Sequence, residues 1–181
     1  MTGQPKISII LPVFNPPGLF LRECLDSVLA QTYPDWELCI ADDASTESYV
    51  GKILAEYRER DRRIKVVFRS QNGHICQASN SALEMATGEF IALLDHDDVL
   101  STNALAEVAK LIAEHPDADF IYSDEDKIDE GGNFKFPFYK PDWCPDTFLS
   151  RMYTCHLGVY RRAIVNQVAF GWDTKAVKIT I

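Results

Sequence analysis

Five short apolar runs separated by four amphipathic segments make up the first two thirds of this chain, and that alternation restricts its fold more than any other feature. Ile7 to Val13 is rich in Ile and Val and is closed by Pro12 and the Asn15-Pro16-Pro17-Gly18 turn, so it reads as a strand. Leu21, Cys24, Leu25, Val28 and Leu29 recur at helical spacing and predict a helix from about Leu19 to Gln31, which Tyr33-Pro34-Asp35 breaks. Trp36 to Ala41 predicts a second strand ending in Asp42-Asp43. Ser45 or Thr46 is the expected cap of a helix carrying Val50, Ile53, Leu54 and Tyr57. Ile64 to Phe68, Phe90 to Leu94 and Phe120 to Ser123 read as further strands, with helices over Ile75 to Ala86 and Asn103 to Glu114 between them. This βαβ rhythm predicts an α/β fold, a mainly parallel central sheet with helices on both faces.

The pattern changes after Asp124. Gly131-Gly132-Asn133 predicts a hairpin turn, and an aromatic, proline-rich stretch follows from Phe134 to Trp143. Cys155 to Tyr160 reads as another strand and Arg162 to Val168 as a short helix. Thr174 to Ile181 stops without a finished element, which suggests a chain cut short. The length, 181 residues, suits one domain.

A net charge of -9 argues against nucleic acid as the main partner, because phosphate backbones are met by basic surfaces. No apolar stretch is long enough to span a bilayer, and the segment from Met1 to Lys6 lacks a signal-peptide core, so a cytoplasmic location is expected. The five cysteines form no CxxC pair, which removes the usual zinc and redox motifs, and Cys24 and Cys39 fall in apolar patterns as core residues.

The chemistry is concentrated in acids that follow strands. Phe90 to Leu94 empties into Asp95-His96-Asp97-Asp98, three carboxylates within four residues. In an extended segment Asp95 and Asp97 share one face, and carboxylates that close call for a cation between them. Oxygen ligands favour a hard divalent ion, Mg2+ or Mn2+. Asp42-Asp43 and Asp124-Glu125-Asp126 follow two other strands, and in a parallel sheet all three clusters open on the same edge. Taken singly, each cluster reads equally well as a helix cap or solvated loop. Alternation turns His96 away from a metal at Asp95 and Asp97, into packing. His156, in Thr154-Cys155-His156-Leu157, is either a ligand or a structural imidazole, and His74, Arg69 and Lys127 are weaker candidates.

The ordered set Ile9-Ile10-Leu11-Pro12-Val13-Phe14-Asn15, Leu25-Asp26-Ser27-Val28-Leu29-Ala30-Gln31-Thr32, Ala41-Asp42-Asp43-Ala44-Ser45, Asn80 to Glu89 and Asp95-His96-Asp97-Asp98 resembles the N-terminal part of a family-2 glycosyltransferase with the GT-A fold. Tyr122-Ser123-Asp124-Glu125-Asp126-Lys127 is similar to the bacterial branch that builds O-antigens and other surface polysaccharides. The resemblance implies one domain over 1–181, with a nucleotide-sugar-binding part over about 6–126 and a partial acceptor-side part over about 127–181. It implies that Pro12, Phe14 and Asn15 border the base, that Asp43 accepts the base N3–H with Asp42 beside it, and that Asp95 and Asp97 bind Mn2+ or Mg2+ at the diphosphate. Asp98, Asp124 and His156 are then further donor-side residues. The implied reaction moves a sugar from a UDP- or dTDP-linked donor to a glycan or lipid-linked glycan, with inversion, in cell-surface polysaccharide synthesis. The enzyme would sit in the cytoplasm or peripherally at the inner membrane face.

The family's general base follows a Gly-Gly-Phe-like turn. Here Phe170-Gly171-Trp172-Asp173 stands near that point, and Asp173 is the only acid after Asp146, so no base is assigned. A truncated, non-catalytic nucleotide-sugar-binding fragment is the alternative. A sugar nucleotidyltransferase is disfavoured because Pro12 to Gly18 lacks a Gly-rich basic loop. A plain α/β interaction module would leave the acidic clusters without metal.

Overall fold

The computed structural model describes residues 4–129 and 131–168. Strand β1 (Ile7–Val13) leads through helix α1 (Gly18–Leu29) to β2 (Trp36–Asp42), then through α2 (Ser48–Arg60) to β3 (Ile64–Phe68). Helix α3 (His74–Leu83) carries the chain back to β4 (Phe90–Leu93), and α4 (Ala104–Glu114) leads to β5 (Phe120–Tyr122). A hairpin of β6 (Glu125–Ile128) and β7 (Phe134–Phe138) follows, then α5 (Pro145–Ser150), β8 (Gly158–Arg161) and α6 (Arg162–Val168). The main sheet has the order β3-β2-β1-β4-β8-β5. All pairs from β3 to β4 are parallel, whereas β8 runs antiparallel between β4 and β5. The expected mainly parallel sheet is therefore present, with one reversed strand wedged into it.

Period-two alternation divides the core. Ile7, Ile9, Leu11 and Val13 of β1, with Trp36, Leu38 and Ile40 of β2, face α1, α2 and α4. Ile10, Cys39, Ala41 and Ile91 face the small residues Ala78 and Ala82 of α3 and Val165 of α6. Both faces are covered, as a parallel sheet demands. Each fully buried Leu or Ile contributes roughly 1.5–3 kcal/mol over leaving it in water. Cys24 and Cys39 are buried free thiols, as their apolar settings predict, and burial pushes Cys39 up to about 12.

Among the boundaries that depart from the sequence reading, two have a visible cause. Helix α2 begins at Ser48 with Glu47 at its N-cap, so neither Ser45 nor Thr46 caps it. Both hydroxyls are drawn to Asn15 instead: Ser45 Oγ accepts its backbone N–H, and Thr46 Oγ1 its side-chain amide. The last strand starts at Gly158 rather than Cys155, because the carbonyls of Thr154 and His156 accept from the Lys140 ammonium and not from a neighbouring strand.

At the amino-terminal edge of the sheet one carboxylate is fully enclosed. Glu37 is 2% exposed. Lys6 and Lys65 each place Nζ 2.8 Å from its Oε2, while Ser8 Oγ and the Thr87 N–H donate to Oε1 at 2.6 Å. Gly88 must approach this group closely: a Cβ there would meet Lys6 O at 2.6 Å and Ser8 Oγ at 2.7 Å. Burial acts to raise the Glu37 pKa, but the lysines, Ser8 and Thr87 outweigh it and hold the group far below the carboxylate range. A depressed folded-state pKa gives stability that is full above the unfolded value, about 4.3, and is lost as pH falls through the folded value. Glu37→Ala is expected to cost about 3 kcal/mol in urea unfolding at pH 7, near the low end for a broken buried pair because both lysines reach solvent. Glu37→Gln should in addition flatten the fall in stability below about pH 4.

Candidate active site

The chain grows from β1 towards β2 and β3 on one side and to β4 on the other, so a crevice opens at the carboxyl ends of β1 and β4. A cavity of about 420 Å3 lies there. Pro12, Val13 and Phe14 form one wall, and Asn72, His74, Ile75 and Ala78 at the start of α3 form another. Asp43, Asp95, His96 and Asp97 supply its polar rim. Phe14 is 45% exposed, a large ring left open to the cavity.

The acidic segment after β4 is a turn, closed by the Asp98 N–H to Asp95 O at 3.2 Å. Strand alternation therefore stops before it, and His96 lines the cavity rather than packing away from it, which corrects the sequence expectation. The turn is held from behind by α1 and the residues after it. Cys24 Sγ donates to Asp95 O, Ser27 Oγ accepts the Leu100 N–H at 3.0 Å, and Gln31 bridges Ser101 O and the Leu105 N–H.

Asp95, Asp98 and His156 meet across the front of the turn, each offering a ligand atom within 4.8 Å of the others. His156 Nε2 lies 3.1 Å from Asp95 Oδ2, and Nδ1 lies 3.6 Å from Asp98 Oδ2. Hydrogen bonding to His156 holds Asp95 below the usual carboxylate range against the effect of burial. The same contact raises His156, with Asp98 and Glu125 adding to it and burial opposing. Burial raises Asp98, aided by the negative charge of Asp95, Asp97 and Glu125. Asp98 Oδ2 is buried and takes no hydrogen bond among the described residues. Two carboxylates and an imidazole, with one oxygen unsatisfied, are a donor set that fits Mn2+ better than Mg2+, because the imidazole nitrogen is a softer ligand than Mg2+ favours.

The other expected residues divide. Asp43 borders the cavity but is 2% exposed, with Arg69 Nε at 2.7 Å and the Gly73 N–H on both its oxygens. Gly73 has no room for a Cβ, which would run into Gln77 and Arg69. Asp42 stands outside the cavity wall, its Oδ1 taking the Ser45 N–H. Asn15 also stands outside it. With φ at 48° its side-chain oxygen accepts the N–H groups of Thr46 and Glu47, so it orders the loop into α2. Asp97 lines the cavity, 61% exposed in its side chain, and is not one of the converging trio. Asp124 closes the β6–β7 hairpin by accepting the Lys140 N–H at 2.7 Å. Its neighbour Glu125 turns inward to the His156 N–H at 3.2 Å. Sequence reasoning singled out neither Glu125 nor Lys140; the first belonged to a recognised acidic cluster, and the second has no local signal that separates it from a solvated lysine. Lys127 is exposed on β6, and Phe170 to Asp173 lie outside the described residues.

Residues 8–169 match the glycosyl transferase family 2 domain. The chain is 52% identical over 168 residues to the uncharacterized protein y4gI of Sinorhizobium fredii, covering 93% of this chain and 18% of that protein. It is 42% identical over 168 residues to the O-antigen biosynthesis protein RfbC of Myxococcus xanthus, covering 93% of this chain and 13% of the relative. Among solved structures it is similar to S. aureus TarS in complex with UDP, with a TM-score of 0.72 and 26% identity over 90% of this chain and 48% of that one. The chain thus spans under a fifth of the length of those two relatives and about half of residues 1–349 of TarS, the part in that structure. With the fold, the strand-end crevice and the matched residues in agreement, the chain belongs to glycosyl transferase family 2.

Proposed function

We propose that this chain is the donor-binding part of a glycosyltransferase that moves a sugar from a nucleoside diphosphate, UDP or dTDP, to a glycan or lipid-linked glycan during surface-polysaccharide synthesis. The observation that carries this reading is the placing of the Asp95, Asp98 and His156 trio beside a cavity walled by Pro12 and Phe14. The relative named for O-antigen biosynthesis and the neighbour holding UDP support the acceptor class and the donor class in turn. The described residues include no helix long and apolar enough to cross a membrane. We read the site of action as the cytoplasmic face, where a lipid-linked acceptor is presented.

On this reading the base lies against Phe14 and Pro12, with Asp43 at its edge. Gly73 and Arg69 hold the Asp43 carboxylate rigid, so a base N–H meets an acceptor already in place. Asp95, Asp98 and His156 would hold the Mn2+ or Mg2+, with Asp97 on the cavity side. The ion's contribution is Lewis-acid stabilisation of the departing diphosphate. The acceptor hydroxyl attacks the anomeric carbon as the nucleoside diphosphate leaves from the opposite side, which inverts that centre. The proton leaves the hydroxyl to a base outside the described residues.

A second reading is donor binding without turnover. Calorimetry with UDP and Mn2+, together with donor hydrolysis and transfer assays on the same sample, separates the two. Asp95→Ala and His156→Ala are each expected to weaken Mn2+-dependent UDP binding more than tenfold, about 1.4 kcal/mol or more. The geometry expects a larger loss from Asp98→Ala than from Asp97→Ala, and the reverse order would return the metal to the Asp95 and Asp97 pair. Phe14→Ala should cost about 1–3 kcal/mol of UDP affinity through lost stacking while leaving Mn2+ binding intact. Unchanged UDP affinity in Asp95→Ala would end the proposal.

A further inference from the structure

We propose that the Glu125–Lys140 pair, with its lysine side chain enclosed, is a positioning device that sets His156 against the acidic turn after β4. The inference rests on the functional reading above in taking His156 as a working residue of the site. The Lys140 side chain is 1% exposed. Its ammonium donates to Glu125 Oε2 at 2.9 Å, Thr154 O at 2.8 Å and His156 O at 2.6 Å. Three donors meet three acceptors, so this lysine has no N–H left for a phosphate and cannot serve as a donor ligand. Glu125 Oε2 also accepts the His156 backbone N–H at 3.2 Å. The main chain of His156 is therefore gripped at both ends, its N–H by Glu125 and its C=O by Lys140, and the ring lands 3.1 Å from Asp95 Oδ2.

The surrounding residues brace the same segment. Ser123 exchanges contacts with Leu157, its N–H donating to Leu157 O and its Oγ accepting the Leu157 N–H. Asp124 takes the Lys140 N–H, and Tyr122 OH donates to Pro141 O. Tyr122-Ser123-Asp124-Glu125 thus becomes a buckle that ties β5 and the hairpin to the segment bearing His156. A partly buried ion pair is weak as a source of net stability, because desolvation offsets its attraction. Its value here lies in directed contacts that an apolar pair of the same volume would lack. Contacts that orient a metal-binding histidine through its ring typically govern affinity by about 10- to 100-fold, and the grip on the His156 main chain acts on the same ring orientation.

The test uses the full chain. Long-range 1H–15N spectra of the metal-free protein read the His156 ring directly, and calorimetry reads the affinity for UDP in the presence of Mn2+. In Lys140→Met the His156 ring signals should move to those of an imidazole without the Asp95 contact, and UDP affinity with Mn2+ should fall about 10- to 100-fold. A variant with a lower thermal midpoint but unchanged ring signals and affinity would make the pair merely structural and overturn the proposal. Should Lys140→Met not fold, Glu125→Gln decides by the same two readouts, since it keeps the volume and leaves Lys140 its two carbonyls. If the unaltered chain binds no UDP with Mn2+, the functional reading fails, and the ring signals alone judge the positioning role.

Discussion

Between β1 and β4 the sheet changes its direction of growth, and the crossovers on either side of that point run over opposite faces. Helix α1 covers the face that carries Ile7, Ile9 and Leu11, and α3 covers the face that carries Ile10 and Ile91. Neither helix can then fill the space beyond the carboxyl ends of β1 and β4, and a crevice is left. Parallel pairing sets the register of its walls, with Ile10 opposite Leu93 and Val13 opposite Asp42. Residues from distant parts of the sequence arrive there because the strands end there. The reversed strand β8 is what brings His156 to the same edge, since it enters the sheet between β4 and β5 from that end.

The same chemical group has opposite fates at the two ends of the sheet. Glu37 is enclosed and answered on both oxygens by two ammonium groups, a hydroxyl and a backbone N–H. That is a structural carboxylate, stable as an anion without help from outside. Asp98 keeps 41% of its side chain in solvent, yet its Oδ2 is withdrawn from water without a hydrogen bond among the described residues, and three further carboxylates press on the group. A fold that satisfies the enclosed Glu37 so completely at one edge leaves this single oxygen unfinished at the other. An unpartnered buried oxygen has a reason when a ligand completes it.

The apolar pattern carried most of the fold. Strands β1 to β5 and helices α1 to α4 are legible because each buries a face whose period, 2 or 3.6, is written in consecutive residues. The caps were less legible, since Ser45, Thr46 and Glu47 lie side by side and the choice among them depends on Asn15, some 30 residues away. In the site, the acidic turn was visible but its internal geometry was not. Reading Asp95 and Asp97 as one face assumed a strand, whereas the Asp98 to Asp95 hydrogen bond bends the segment and turns Asp98 inward. Glu125 and Lys140 were hidden for a different reason: their meaning comes from a hairpin that folds back on the segment before β8, and no local pattern records that contact.

Charge balance gives the last step. The chain is strongly acidic, and Arg69 and Lys140, two cationic side chains beside the crevice among the described residues, are already engaged. Arg69 is paired with Asp43 and donates to Gln77 and Ser81. Lys140 is enclosed by Glu125 and two carbonyls. A diphosphate entering beside Asp95, Asp97 and Asp98 would meet repulsion from each of them at close range. The His156 ring, even when protonated, can offset only one negative charge. A divalent ion on the same carboxylates would reverse the local field and make the site attractive to a diphosphate. The acids that would expel a donor on their own would become, with that ion, the means of holding it.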